Sequence, residues 1–133
     1  MTDFSGEYEL NLQESALGAP VAGKVQRGTV RIEHHEPRFH SEFAYFFTDG
    51  NTFKGAFELP TDGSEITSTE QGRPSVTTLC WDGDTLLFTA RTKGVMTLTF
   101  RYELIEAGRR LRMGESLRDS NHDHDSLWIF DRK

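Results

Sequence analysis

Apolar and polar residues alternate along most of this chain. From Met96 to Leu104 every second residue is apolar, and the residues between them are polar or charged. Such a period of two is typical of β-strands that bury one face. The pattern sets in at Gly28, and the preceding residues 13–26 show neither this period nor a strong helical one. We interpret that segment as a loop with at most one helical turn.

Turn signals at short intervals divide the alternating pattern into strands. Asp-Gly pairs at Asp49-Gly50, Asp62-Gly63 and Asp82-Gly83 are typical of hairpin turns. About ten strands result, and nearly every connection between them has hairpin length. We therefore predict an all-β fold, a single antiparallel up-and-down β-barrel of about 8–10 strands that spans residues 1–133 as one domain. Closing the sheet on itself is expected to remove its exposed edges.

The first predicted strand carries a motif. Phe4-Ser5-Gly6-Glu7-Tyr8-Glu9-Leu10 resembles the opening Phe-x-Gly-x-Trp-x-Leu of lipocalins and fatty-acid-binding proteins, with Tyr8 in the Trp position. The resemblance implies a calycin barrel in which Gly6 permits a bend and Tyr8 plugs the closed end. The chain departs from the pattern of fatty-acid-binding proteins in two ways, which limits this resemblance. The segment before Gly28 is too short for the helix pair of fatty-acid-binding proteins, and Arg101-Tyr102 lack the spacing and position of their carboxylate-binding Arg-x-Tyr.

A closer resemblance is to a set of uncharacterised bacterial lipocalin-like proteins. It rests on Ile32-Glu33-His34, on the hairpin Trp81 to Leu86, on the acidic segment His122 to Asp125 and on Trp128 to Arg132. These patches extend over most of the chain and imply the fold. They imply almost nothing about function, because calycins include carriers, haem binders, inhibitors and a few enzymes.

Composition and charge exclude some classes of partner. The formal net charge is -6, which argues against a nucleic-acid-binding surface. No run approaches the roughly 18 apolar residues of a membrane span. Residues 1–4 lack the pattern of a signal peptide, so we expect a cytoplasmic protein, or a secreted or periplasmic one if a leader has been removed. We expect a monomer or a homodimer.

The strand phases predict which side chains face the interior. We expect a non-enzymatic barrel that binds a small hydrophobic or amphipathic ligand, with no cofactor and no metal. The predicted ligand-binding residues share the apolar phase of their strands: His34, Phe43, Tyr45, Phe57, Phe88, Phe100, Tyr102 and Glu115. Aromatic side chains of this kind line pockets in the mouths of barrels. The same pattern is also typical of a filled core.

Three alternatives remain open from the sequence. One is an enzyme in which Glu115 and His34 meet as acid and base, with Tyr45 or Tyr102 orienting the substrate. Another is a structural or interaction module with a filled barrel. The third is a haem barrel with an inward His34 as axial ligand. The segment Asn121 to Asp125 contains metal-ligating residue types, but we interpret it as a solvated hairpin turn before a last strand at Ser126 to Arg132.

Overall fold

The computed structural model describes residues 2–19, 21–70, 72–119 and 123–133, and these residues form a ten-stranded antiparallel sheet. The strands are β1 (Gly6–Leu10), β2 (Val25–His35), β3 (Arg38–Phe47), β4 (Thr52–Pro60), β5 (Ile66–Glu70), β6 (Arg73–Asp82), β7 (Thr85–Thr92), β8 (Met96–Ile105), β9 (Arg110–Asp119) and β10 (Asp123–Arg132). The predicted all-β, up-and-down fold is confirmed. The described part of the chain contains no helix long and apolar enough to cross a membrane.

The sheet curls into a barrel that its hydrogen bonds do not fully close. The strand order is β4-β3-β2-β1-β10-β9-β8-β7-β6-β5, so β1 joins β10 but β4 and β5 form no ladder with each other. The expectation that closure removes all strand edges is therefore wrong. A meander pattern specifies neighbouring pairs along the chain, but it does not specify whether the first and last strands of the resulting sheet come within hydrogen-bonding distance.

Side chains and one loop bridge the gap between β4 and β5, where the sheet is not closed by hydrogen bonds. The ring centroid of Phe57 on β4 lies 5.2 Å from that of Phe88 on β7. The loop between β4 and β5 docks on β6, where the Gly63 N–H donates to the Leu79 carbonyl at 3.0 Å. Asp62 forms an isolated bridge with Cys80 beside it. An aromatic contact and the docked loop thus complete the barrel where the β4–β5 ladder is absent.

Two predicted strand boundaries need correction. β2 begins at Val25 rather than Gly28, and a register shift between Val25 and Arg27 marks a bulge that breaks the period of two there. β10 begins at Asp123 rather than Ser126. His124 and Asp125 therefore lie in a strand and not in a solvated turn. Asn121 and His122, the other residues of that predicted turn, lie outside the described residues.

The connection between β1 and β2, residues 11–19 and 21–24, is here called the strap. It contains no helix among its described residues, in agreement with the prediction that a helix pair cannot fit. Backbone hydrogen bonds in both directions join Ala16 to Leu127 at 2.8 and 2.7 Å. The Gly18 N–H donates to the Ser126 hydroxyl at 2.8 Å. The strap is thereby fixed to the first half of β10.

One end of the barrel is packed solid. Tyr8 is completely buried there, its hydroxyl donates to the Phe4 carbonyl at 2.7 Å, and the Arg132 guanidinium lies 5.5 Å from its ring centroid. Fully buried apolar side chains from six other strands belong to the same core: Ile32, Phe39, Leu79, Leu86, Leu111 and Phe130. Burying so many large side chains provides most of the hydrophobic stabilisation of the fold. We call this the filled end.

Candidate functional site

The barrel interior is filled at one end and open at the other. In the open half lies a cavity of about 360 Å³, reached between the strap and the first residues of β2, β4 and β8. Its lining is mainly aromatic and aliphatic: Val21, Val25, Val30, Ser41, Phe43, Tyr45, Phe47, Phe53, Phe57, Phe88, Leu98, Phe100, Tyr102, Met113, Glu115 and Trp128. The sequence left open whether the barrel is hollow or filled, and the structure shows both conditions in different halves.

Seven of the eight residues predicted to bind a ligand line this cavity, and the eighth, His34, does not. For the residues on β3 and β8, the alternating pattern correctly predicted that the side chains face the barrel interior. The same phase also includes lining residues that the prediction omitted, such as Leu98 on β8 and Met113 on β9. Val21 belongs to the strap, where no periodic pattern exists, and the sequence carried no signal for it.

His34 lies in the filled end, four per cent exposed, among the rings of Phe4, Phe39 and Trp81. The backbone N–H of Phe4 donates to its Nδ1 at 3.2 Å. Because Nδ1 accepts this bond, Nε2 carries the proton of the neutral ring and donates to Glu36 Oε2 at 3.1 Å. Both ring nitrogens are therefore engaged in fixing the fold at this end, and neither faces the cavity.

The Glu36 carboxylate, next to this histidine, accepts three side-chain hydrogen bonds. Thr61 donates its hydroxyl at 2.5 Å, Trp81 donates its indole N–H, and His34 donates as described. Burial acts to raise the pKa of Glu36, but these three hydrogen bonds outweigh it, so the pKa lies below its usual value. The cluster connects β2, β6 and the loop after β4, and its role is structural.

Glu115 lies in the cavity wall on β9, well away from these partners. The indole N–H of Trp128 donates to its Oε1 at 2.9 Å. Its Oε2 is 3.8 Å from Nε2 of His124 on β10. The predicted acid–base pair of Glu115 with His34 is therefore not formed, because alternation assigns both residues to the interior face but not to the same depth along the barrel axis.

His124 is the histidine that the structure does place beside Glu115. Its side chain is only 11% exposed, and its Nδ1 is buried without a hydrogen-bond partner among the described residues. The sequence contained a signal for this position, because His124 shares the phase of Ser126, Trp128 and Phe130. The interpretation of residues 121–125 as a turn concealed that phase.

Two tyrosines complete the polar part of the cavity wall. Burial raises the pKa of Tyr45, and the negative charge of Glu115 adds to the effect. Burial also raises the pKa of Tyr102, with a smaller contribution from Tyr45. Both side chains line the cavity, and each hydroxyl can donate and accept a hydrogen bond. Neutral hydroxyls in an apolar cavity are available to orient a ligand.

The described residues offer no competing site of comparable chemistry. No group of three or more His, Cys, Asp or Glu side chains in residues 2–19, 21–70, 72–119 and 123–133 could hold a metal ion. A wider depression of about 660 Å³ crosses the outer face of β1–β4. It is lined by charges of both signs, including Glu7, Arg31, Glu42 and Lys54, and an apolar molecule there would stay in contact with water.

Solved structures with the same fold include barrels named for fatty acids. A fatty acid transporter described as REP1-NXSQ has a TM-score of 0.66 and 19% identity, with 98% of this chain and 96% of that chain covered. A secretory abundant heat soluble protein from Ramazzottius varieornatus has a TM-score of 0.73 and 12% identity, covering 100% and 98%. The Schistosoma mansoni fatty acid binding protein in complex with arachidonic acid has a TM-score of 0.63 and 14% identity, covering 100% and 98%.

These similarities establish the fold, a β-barrel like that of fatty-acid-binding proteins. At such low sequence identity they establish the fold alone. No protein-family model matches the chain, and no curated protein matches it.

Proposed function

We propose that this protein binds a small hydrophobic or amphipathic molecule inside the barrel and does not transform it. The observation that carries the proposal is the aromatic cavity of about 360 Å³ in the open half. This volume falls within the range of about 300–1,000 Å³ typical of small-molecule sites. Phe43, Phe57 and Phe88 present their rings to it.

The hydrophobic effect favours occupation of such a cavity. Each square ångström of apolar surface removed from water contributes about 25 cal/mol, and the lining contains nine aromatic side chains among its described residues. Phe53, at the mouth, is 55% exposed and would lose contact with water when a ligand enters. The REP1-NXSQ and Schistosoma mansoni barrels, named for fatty acids, support binding inside this fold.

The alternative of catalysis has less support. The acid and base that we considered from the sequence are engaged separately, His34 with Phe4 and Glu36, and Glu115 with Trp128.

We further propose that the chain is a member of the bacterial lipocalin-like group, that it is cytoplasmic, and that it is a monomer or a homodimer.

Titration with Nile red, a neutral apolar dye that fluoresces away from water, tests the proposal. Leu98→Trp places a bulkier side chain in the cavity and is expected to weaken dye binding at least about tenfold. Thr99→Trp, one residue along β8 and on the opposite face, is the matched control and is expected to bind as the wild type does. The proposal fails if wild-type protein does not bind the dye, or if Leu98→Trp binds it unchanged.

Native mass spectrometry of gently purified protein provides a second measurement. A small molecule that co-purifies with the wild type, and is lost from Leu98→Trp, would support the proposal and identify the cargo. A molecule retained equally by both proteins would place binding outside the cavity and contradict it.

A further inference from the structure

The only charged group that the described residues contribute to the cavity wall is negative. Glu115 is the sole charged side chain among the described lining residues, which include no Lys, Arg or His. His124 contacts Glu115 but does not line the cavity. A bound carboxylate would therefore find no cationic partner in the described lining and would face a like charge. Repulsion between like charges is strong where water is excluded.

Glu115 retains a free acceptor. Its Oε1 is occupied by the indole N–H of Trp128. Its Oε2 lies 3.8 Å from His124 Nε2, which exceeds hydrogen-bond distance, and accepts no hydrogen bond from the described residues. A carboxylate in an apolar wall gains most from a donor that also carries positive charge.

Two aromatic side chains, Tyr45 and Trp128, lie beside this carboxylate. The ring centroids of Tyr45 and Trp128 lie 5.2 Å apart. The indole N–H of Trp128 donates the hydrogen bond to Glu115 Oε1. Faces of Trp and Tyr attract cations through the negative potential of the ring. A carboxylate in an apolar wall with aromatic rings beside it is a favourable environment for an organic ammonium group.

Resting on the function proposed above, we propose that the ligand is a lipophilic amine. Its ammonium head is held by Glu115 Oε2, next to the rings of Tyr45 and Trp128. Its apolar part lies among the phenylalanines of β3, β4, β7 and β8. The cargo class is thus opposite in charge to the fatty acid for which the REP1-NXSQ structure is named.

Three probes with the same hydrocarbon chain test this assignment: decylamine, decanol and decanoate. Their affinities are measured by isothermal titration calorimetry at about pH 8, where an alkylamine is charged and histidines of ordinary pKa are not. We expect the wild type to bind decylamine about tenfold tighter than decanol, and decanoate most weakly.

Glu115→Gln removes the charge and keeps an oxygen for the Trp128 N–H. It is expected to lose about tenfold in decylamine affinity, to bind decanol unchanged and to bind decanoate better. Glu115→Asp keeps the charge and should keep the order of the probes. If Glu115→Gln does not fold, the order of the three probes on the wild type decides the matter. The matched control is Glu103→Gln, which removes an equal charge from the outer face of β8, where Glu103 pairs with Arg112 at 3.4 Å.

The outcomes separate the two proposals. If the wild type binds decanoate as tightly as decylamine, or Glu115→Gln leaves their ratio unchanged, the amine assignment is overturned while decanol binding still supports an apolar carrier. If neither the three probes nor Nile red binds, the proposed function itself fails.

Discussion

The ring of Phe43 lies directly over Gly55, its register partner on β4. A Cβ at Gly55 would lie 2.6 Å from Cζ of Phe43 and 2.7 Å from its Cε2, closer than real Cβ atoms approach. Tyr45 has the same relation to Gly28 on β2, where a Cβ would lie 3.0 Å from its Cδ1. The two glycines let these rings lie flat against the barrel wall, which keeps the centre of the open half free.

Gly55→Ala is expected to narrow the cavity. The added methyl group forces the Phe43 ring off the wall, and the open cavity is the space into which it can turn. We expect a loss of about 1–3 kcal/mol in the free energy of unfolding, as for other overpacked sites, together with weaker Nile red binding. Urea denaturation and dye titration measure the two effects.

Gly114→Ala is the matched control for this substitution. Gly114 lies on β9 between Met113 and Glu115 and faces outward, and apart from these two neighbours no atom of the described residues lies within 4 Å of the place its methyl group would occupy. The substitution should therefore leave both dye binding and stability close to wild type. Dye affinity in Gly55→Ala equal to that of the wild type would contradict the role assigned to the glycine.

Glu36 is expected to make the filled end sensitive to acid. Because the folded-state pKa lies below the ordinary value of 4.5, the charged carboxylate stabilises the fold above that value. This contribution is lost as the pH falls through the lower, folded-state pKa. Glu36→Gln has no charge and keeps one oxygen, which can accept either from Trp81 or from Thr61 and His34. It should be less stable than the wild type at neutral pH, and the difference should shrink as the pH falls below 4.5.

Thermal denaturation of both proteins between about pH 7 and pH 3 measures this difference. Other acids with lowered pKa values, Asp3, Asp62 and Asp125, destabilise both proteins equally on acidification, so the comparison isolates Glu36. Glu33→Gln removes an exposed carboxylate that pairs only with Arg31 on the same strand, and it serves as the control. A stability difference that stays constant across this range would refute the linkage.

Much of the fold was predictable because each strand buries one face. Alternation from Met96 to Leu104 and the Asp-Gly turns identified the hairpins, and side-chain period alone separates inside from outside. The missing β4–β5 ladder could not be predicted, because it depends on the curvature of the whole sheet. The start of β2 at Val25 was missed because a bulge interrupts the period there.

The sequence predicted which side chains face the barrel interior, but not where along the barrel axis each of them lies. Phase alone placed Tyr45, Tyr102 and Glu115 correctly on the interior side. It placed His34 there as well, although that residue lies at the filled end. Position along the barrel axis depends on strand tilt and register, which one strand's pattern does not contain. His124 was missed because its acidic neighbours are typical of a turn.

Gly18 determines how closely the strap lies on β10. A Cβ at this position would lie 2.8 Å from the backbone oxygen of Asp125 and 3.1 Å from Cδ2 of His124. A side chain could move aside, but the Asp125 carbonyl belongs to a paired strand and cannot. Gly18→Ala is therefore expected to lift the strap, weaken the paired hydrogen bonds between Ala16 and Leu127, and reduce the free energy of unfolding by about 1–2 kcal/mol.

Hydrogen exchange of the Ala16 and Leu127 amides measures this local effect, with an expected acceleration of about tenfold or more beyond any change at Phe100 on β8. Because Val21 of the strap lines the cavity, the lifted strap should also release bound Nile red faster. Gly114→Ala again supplies the control. Equal acceleration at Phe100 would indicate a general loss of stability instead, and unchanged exchange at Ala16 and Leu127 would show that the strap accommodates the methyl group without leaving β10.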